Sequence, residues 1–194
     1  MALLTLSGIT TGRGRRALVE GFDLTLHAGR VCHLSGANGT GKTTLLEVAA
    51  GLRTPWQGQV TAAAARHWLG HRNGLSAALT PMENLQAWCD LQADVSSAPA
   101  EALRALGVYP QRHRPCRQLS AGQRRRTALA RLLLAARPVW VLDEPLDGLD
   151  AAGLELVATL VNSHIAEGGA LLVTSHQPLP GSIAAVQAVE LRPA

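Results

Sequence analysis

Apolar and polar positions along this 194-residue chain fall into two rhythms, which place most of its elements before any single residue is considered. Leu3-Leu4-Thr5-Leu6 and Phe22-Asp23-Leu24-Thr25-Leu26 alternate at or near period two and flank the turn-like Thr11-Gly12-Arg13-Gly14-Arg15-Arg16, which predicts an antiparallel unit. His27-Ala28-Gly29-Arg30 then turns the chain into Val31-Cys32-His33-Leu34, a short buried strand. Leu45, Leu46, Val48 and Ala49 switch to helical spacing, which stops at Gly51 with Pro55 beyond. A turn over 55–58 leads to strands within 59–69, although the run Ala62-Ala63-Ala64-Ala65 suits a helix equally well. His71-Arg72-Asn73-Gly74-Leu75 reads as a loop. Thr80-Pro81-Met82-Glu83 has the N-cap, N1 proline and N3 glutamate of a capping box, opening a helical stretch over 81–106 that is interrupted by a loop around 95–99.

The second half continues in the same way. Arg112-His113-Arg114-Pro115-Cys116-Arg117 is expected as a loop. Leu119-Ser120-Ala121-Gly122-Gln123 leads into a helix whose apolar face is Ala128, Leu129, Leu132 and Leu133, with Arg124, Arg125 and Arg131 pointing mainly elsewhere and Pro138 as its stop. Val139-Trp140-Val141-Leu142 is a continuous apolar run of buried-strand type ending in Asp143-Glu144. A helix over 151–166 is stopped by Gly168-Gly169, and Ala170-Leu171-Leu172-Val173 makes a further buried strand ending at Thr174-Ser175-His176. No repeat or low-complexity tail interrupts this order.

Between the strand at 31–34 and the helix after it lies Gly36-Ala37-Asn38-Gly39-Thr40-Gly41-Lys42-Thr43-Thr44, which fits the phosphate-loop pattern G-x-x-x-x-G-K-[ST]. Polyphosphate needs many N–H donors wrapped closely around it, and glycines let the backbone approach without a Cβ in the way. The N-terminus of the following helix adds its dipole to the same anion site. In such a loop Lys42 sets a point charge at the β and γ phosphates of ATP and the Thr43 hydroxyl ligates Mg²⁺. Lys42 is also the only lysine among 18 Lys and Arg residues. A chain so biased toward arginine keeps lysine where a forked guanidinium cannot replace a compact ammonium.

Composition narrows the field modestly. Charged residues make up 16% and hydrophobic ones 47%, ordinary for one globular domain spanning 1–194. The net charge of +4 is mild, and with 3% aromatic residues to stack bases no nucleic-acid partner is expected. Cys32, Cys89 and Cys116 share no metal-ligand or disulfide spacing, which suits a reducing cytosol, with Cys32 in a strand core. The N-terminus lacks a basic region ahead of a long apolar run, so no signal peptide is expected. The longest apolar stretch, 132–142, is broken by Arg137 and Pro138 and is too short to span a membrane.

Asp143, Glu144 and His176 each follow an apolar strand, as the phosphate loop does, and in an open parallel sheet those ends share one rim where ligands bind. Asp143 suits a second Mg²⁺ anchor, Glu144 a general base for the attacking water, and His176 a donor to the γ phosphate or to Glu144. Taken alone, Asp-Glu-Pro is also compatible with a strand ending in a turn. Ser120, Gly122 and Gln123 open a second helix N-terminus suited to an anion. One nucleotide cannot readily occupy two such sites in one small domain. The economical arrangement is two copies face to face, each presenting this helix to the other's γ phosphate.

Together these residues give the chain a close resemblance to the nucleotide-binding subunits of ATP-binding cassette (ABC) transporters, covering nearly all of it. Residues 36–44 resemble the Walker A loop, 119–123 the signature, 139–144 the Walker B strand with its catalytic glutamate, Leu149-Asp150 the end of the D-loop, and His176 the switch histidine. Finer wording is similar to the ATP-binding subunit of the haem exporter of cytochrome c maturation: Leu69-Gly70-His71, Leu79-Thr80 with Glu83-Asn84-Leu85, Gln118 through Gln123 with Arg125-Arg126, and Thr174 through Leu179. The resemblance implies an α/β P-loop NTPase fold with a mixed β-sheet core, an antiparallel β subdomain and a helical subdomain inserted at about 81–134. It further implies ATP and Mg²⁺ as ligands, a nucleotide-sandwich dimer, CcmB/CcmC-like integral membrane partners, and a peripheral place on the cytoplasmic face of the bacterial inner membrane.

Two departures from the wider family stand out. His71 replaces the usual glutamine, so a metal or water contact would come from an imidazole of shorter reach and pH-dependent charge. No aromatic residue lies between Met1 and Gly21 to stack on adenine, which leaves Arg13 or Arg15 to offer a planar guanidinium instead. Three alternatives stay open on these residues: another small-substrate ABC transporter, a nucleotide-gated assembly module with little hydrolysis, and a soluble cassette acting on ribosomes or DNA, which usually carries two cassettes in one chain.

Overall fold

The computed structural model describes residues 1–192. The alternating segments at the start form β1 (Ala2–Arg13) and β2 (Arg16–His27), antiparallel and paired down to Arg13 opposite Arg16. Only Gly14 and Arg15 are left for the turn, and Gly14 takes φ 58, as a two-residue hairpin requires. The strands therefore run further than the expected turn at 11–16 allowed. β4 (Gln57–Ala62) joins the other edge of β1, giving a three-stranded sheet in the order β2-β1-β4. The alanine run resolves as the end of β4, a turn, and then β5 (Arg66–Leu69). Cross-strand pairing of Leu6 with Val60 and Leu4 with Ala62 outweighs the helical preference of alanine there.

The second sheet has the order β5-β6-β7-β3-β8, built with β3 (Arg30–Ser35), β6 (Val139–Asp143), β7 (Ala170–Thr174) and β8 (Val186–Glu190). Its β6/β7, β7/β3 and β3/β8 pairs are parallel. Every residue of β6 and β7 is buried, which explains their unbroken apolar sequences. The periodicity did not predict β8: four of its five residues are exposed, so no apolar rhythm marks it. Its order comes from backbone pairing to β3.

By packing, the chain divides into two compact units. The first comprises Met1–Trp68, Arg137–Glu144 and the chain from Val161 onward. Its core joins Leu4, Leu6 and Ile9 of the antiparallel sheet, Leu45 and Leu46 of α1 (Lys42–Ala49), and Val141 and Leu172 of the parallel sheet. Leu45 and Leu46 are 0% exposed, each worth about 2 kcal/mol in apolar burial. Cys32 lies in this core, where burial pushes its thiol up to about 11.

The second unit comprises Leu69–Ala136 and Pro145–Leu160. It contains α2 (Pro81–Asp90), α3 (Pro99–Ala105), α4 (Ala121–Leu129) and the first part of α5 (Ala151–Ala166). Thr80 caps α2 through the expected capping box: its hydroxyl accepts from Glu83 N at 3.2 Å, and its own N–H donates to Glu83 Oε2 at 2.8 Å. Two expectations for the next helix need correction. α4 gives way at Leu129 to a 3₁₀ turn over Ala130–Leu133, well short of Pro138. Arg125 is only 2% exposed; it lies three and four positions before Ala128 and Leu129 and so shares their buried face.

Candidate active site

Parallel pairing sets the C-terminal ends of the strands along one rim, with Asp143 opposite Thr174 and Thr174 opposite Leu34. The phosphate loop leaves β3 there. Gly36, Gly39 and Gly41 take φ of 141, 82 and 100, a region that only glycine enters cheaply. A Cβ on Gly36 would lie 2.5 Å from the Leu191 carbonyl, so the segment after β8 closes against the start of the loop. Within the loop the Thr40 hydroxyl donates to the Ala37 carbonyl at 3.0 Å, while Ala37, Asn38 and Gly39 are exposed and Thr44 faces the core. Lys42 Nζ donates to the carbonyls of Gly36 at 2.7 Å and Ala37 at 3.1 Å, which curls the ammonium back over the loop. Gly41 occupies the N-cap of α1 without a side-chain cap, so no side chain competes for the first amides of that helix.

The carboxylates meet this loop from the neighbouring strand. The Thr43 hydroxyl donates to Asp143 Oδ2 at 2.9 Å. On its other side, Asp143 Oδ1 accepts from the Thr174 hydroxyl at 2.7 Å, and Thr174 Oγ1 in turn accepts from Glu144 N at 3.1 Å. Thr174 thus braces both acidic residues. In the sequence Thr174 reads only as the end of a strand, its one signal being a hydroxyl closing an otherwise apolar run. Glu144 takes φ 52, unusual for a non-glycine residue, and is 6% exposed. Its Oε2 accepts from the His176 backbone N–H at 2.8 Å, and its Oε1 lies 3.7 Å from His176 Nε2. Lys42, Thr43, Asp143, Glu144 and His176 are therefore gathered within the first unit.

His71, Ser120, Gly122, Gln123 and Asp150 belong to the second unit. Ser120 caps α4 reciprocally: its hydroxyl accepts from Gln123 N at 3.1 Å, and its N–H donates to Gln123 Oε1 at 3.0 Å. Gly122 packs against the loop before α5, where an added Cβ would stand 2.8 Å from the Gly148 carbonyl. Asp150 Oδ1 accepts from Gly153 N at 2.8 Å and so opens α5. His71 is exposed, with Nδ1 3.8 Å from Asp147 Oδ2.

Thr43 and Asp143 offer hard oxygen donors side by side, which suits Mg²⁺. Among the described residues no cluster of three or more His, Cys, Asp or Glu side chains forms a cage.

A family model described as "ABC transporter" matches residues 19–147. The chain is 45% identical over 174 residues to the cytochrome c biogenesis ATP-binding export protein CcmA of Hyphomonas neptunium, covering 90% of each chain. To the protein of the same name from Rhodobacter capsulatus it is 44% identical over 177 residues, covering 91% of this chain and 82% of the relative. Among solved structures it resembles an ATP-binding cassette described as a dimeric post-hydrolysis state bound to ADP and Pi, with TM-score 0.79, 20% identity, and coverage of 97% and 96%. That last likeness concerns the fold alone.

Proposed function

This chain belongs to the ABC transporter family, and from that premise we propose that it is the ATP-hydrolysing subunit of a transporter complex of cytochrome c biogenesis. The observation that carries the reading is the 2.9 Å bond between Thr43 of the phosphate loop and Asp143 at the end of β6, with Glu144 next in the chain. It brings the polyphosphate cradle and the two acidic side chains to one rim.

The residues divide the work as follows. The loop amides and Lys42 bind the β and γ phosphates of ATP, the ammonium exchanging its carbonyl partners for phosphate oxygens. Thr43 and Asp143 would hold Mg²⁺, which when bound would neutralise charge on the phosphates. Glu144, oriented by the His176 backbone, takes the proton of the attacking water as its oxygen bonds to the γ phosphorus and the bond to ADP breaks. His176 steadies that carboxylate or the γ phosphate. The α4 N-terminus, with Ser120, Gly122 and Gln123, faces the nucleotide of a second copy, and Asp150 lies in the same dimer contact. His71 takes the part of the family's usual glutamine, offering an imidazole as a metal or water contact.

The relatives' names support a place in cytochrome c biogenesis. Among the described residues no helix is long and apolar enough to cross a membrane. The membrane-embedded partners of this reading are CcmB/CcmC-like integral membrane proteins. The chain then acts at the cytoplasmic face of the inner membrane, where its closure on ATP and reopening after hydrolysis drive release of a haem-loaded chaperone. Closure does such work only through different affinities of the two states for ATP and ADP. Glu144→Gln tests the core of this account. With the membrane partners present, turnover should fall by about 10³-fold or more while ATP-dependent dimers accumulate. Undiminished turnover would remove Glu144 from the base role.

A further inference from the structure

Arg125 is the most deeply buried arginine of the second unit, and the ATPase reading gives it no task. Its Nε donates to the Pro145 carbonyl at 3.1 Å, and its Nη1 donates to the Gly70 carbonyl at 3.1 Å and to Asn73 Oδ1 at 3.0 Å. One guanidinium on α4 thus holds two other segments: the loop at 70–73, and the stretch that begins one residue after Glu144. Arg131, half-buried, donates through Nη2 to the backbone carbonyl of the same Asn73. The two segments also approach each other directly, with His71 Nδ1 3.8 Å from Asp147 Oδ2. A charged side chain is costly to bury, and here the cost is offset by acceptors drawn from segments far apart in sequence, which only a planar fork can reach at once. An apolar residue would fill the same space on α4 without tying these segments together.

We propose that Arg125 is a positioning residue: through Gly70, Asn73 and Pro145 it fastens the His71 loop and the segment after Glu144 to the signature helix, so that the three shift as one piece during the catalytic cycle. Asn73 is the replaceable pin of this clamp, half-buried in a loop and bonded through both its side chain and its backbone. The proposal rests on the ATPase reading above, because its main readout is turnover.

The test compares Arg125→Lys, Asn73→Ala and Asn73→Asp in the full chain with its membrane partners. Lysine keeps the charge and loses the fork, alanine removes the side-chain pin, and aspartate keeps the Oδ acceptor. Arg125→Lys and Asn73→Ala should lower kcat on the order of 10- to 100-fold, the scale of a misplacement remote from the chemistry. Labelled-ATP affinity should stay within about twofold, and Asn73→Asp should restore most of kcat. Amide exchange over 69–76 should quicken in the first two variants and stay slow in the third. Should Arg125→Lys prove unable to fold, the Asn73 pair carries the comparison alone. Full kcat in Asn73→Ala would overturn the clamp, as would equal loss in Asn73→Ala and Asn73→Asp. A wild-type complex that hydrolyses no ATP would instead overturn the ATPase reading, and the proposal with it.

Discussion

Lys42 shows most directly how residue chemistry constrains this site. Its ammonium donates to two loop carbonyls at 2.7 and 3.1 Å, a curled geometry that a rigid guanidinium cannot copy. In Lys42→Arg, affinity for labelled ATP should therefore fall about tenfold or more, equivalent to roughly 1.4 kcal/mol, read by equilibrium binding. An unchanged dissociation constant would mean that the ammonium is not the phosphate contact. His164 gives a residue-scale prediction about stability. Its ring stacks on Trp140 with centroids 3.7 Å apart, and burial lowers its pKa from the usual 6.5. The folded protein thus holds His164 neutral while the unfolded chain binds the proton more readily. The stability this contributes is fully present above about pH 6.5 and is lost as pH falls through the depressed folded value. Urea midpoints should drop between pH 7 and pH 5, and His164→Phe, which keeps a ring on Trp140, should flatten part of that slope.

At the scale of elements, the three helices that follow loops near functional stretches begin differently. α2 and α4 carry complete capping boxes, whereas α1 begins at an uncapped Gly41. The capping box at Thr80 was legible from four consecutive residues because its hydrogen bonds are local. Thr80→Ala should cost about 1 kcal/mol, seen as a fall of about 3 °C in Tm, with ATP turnover in the assembled complex unchanged. α4 was less legible. Spacing assigns its apolar face, and that pattern leaves Arg125 outside it. The partners, at Gly70, Asn73 and Pro145, come from other segments, and helical spacing carries no trace of them.

For the whole molecule, ligand linkage offers a test that does not depend on turnover. A ligand held by the folded chain alone stabilises it by about 2.7 kcal/mol at a hundred times its dissociation constant. MgATP should therefore raise Tm by several degrees, and the gain should shrink in EDTA and in Asp143→Asn, since Thr43 and Asp143 are the oxygens assigned to the metal. An equal gain with and without magnesium would take the metal away from those residues.

The phosphate loop, the apolar strands β3, β6 and β7, and the order of motifs that marks the family are all written in the amino-acid sequence. Each of these is written in a contiguous run whose geometry follows from glycine conformations, local capping and apolar periodicity. Folding alone brings Thr43 to Asp143 across a separation of 100 residues, sets Thr174 to brace both acidic residues, turns Arg125 inward, and makes an exposed stretch into β8. In every one of these cases the stabilising partner is supplied by a distant segment through backbone pairing or a polar bond, and such partners leave no periodic mark on the sequence they hold.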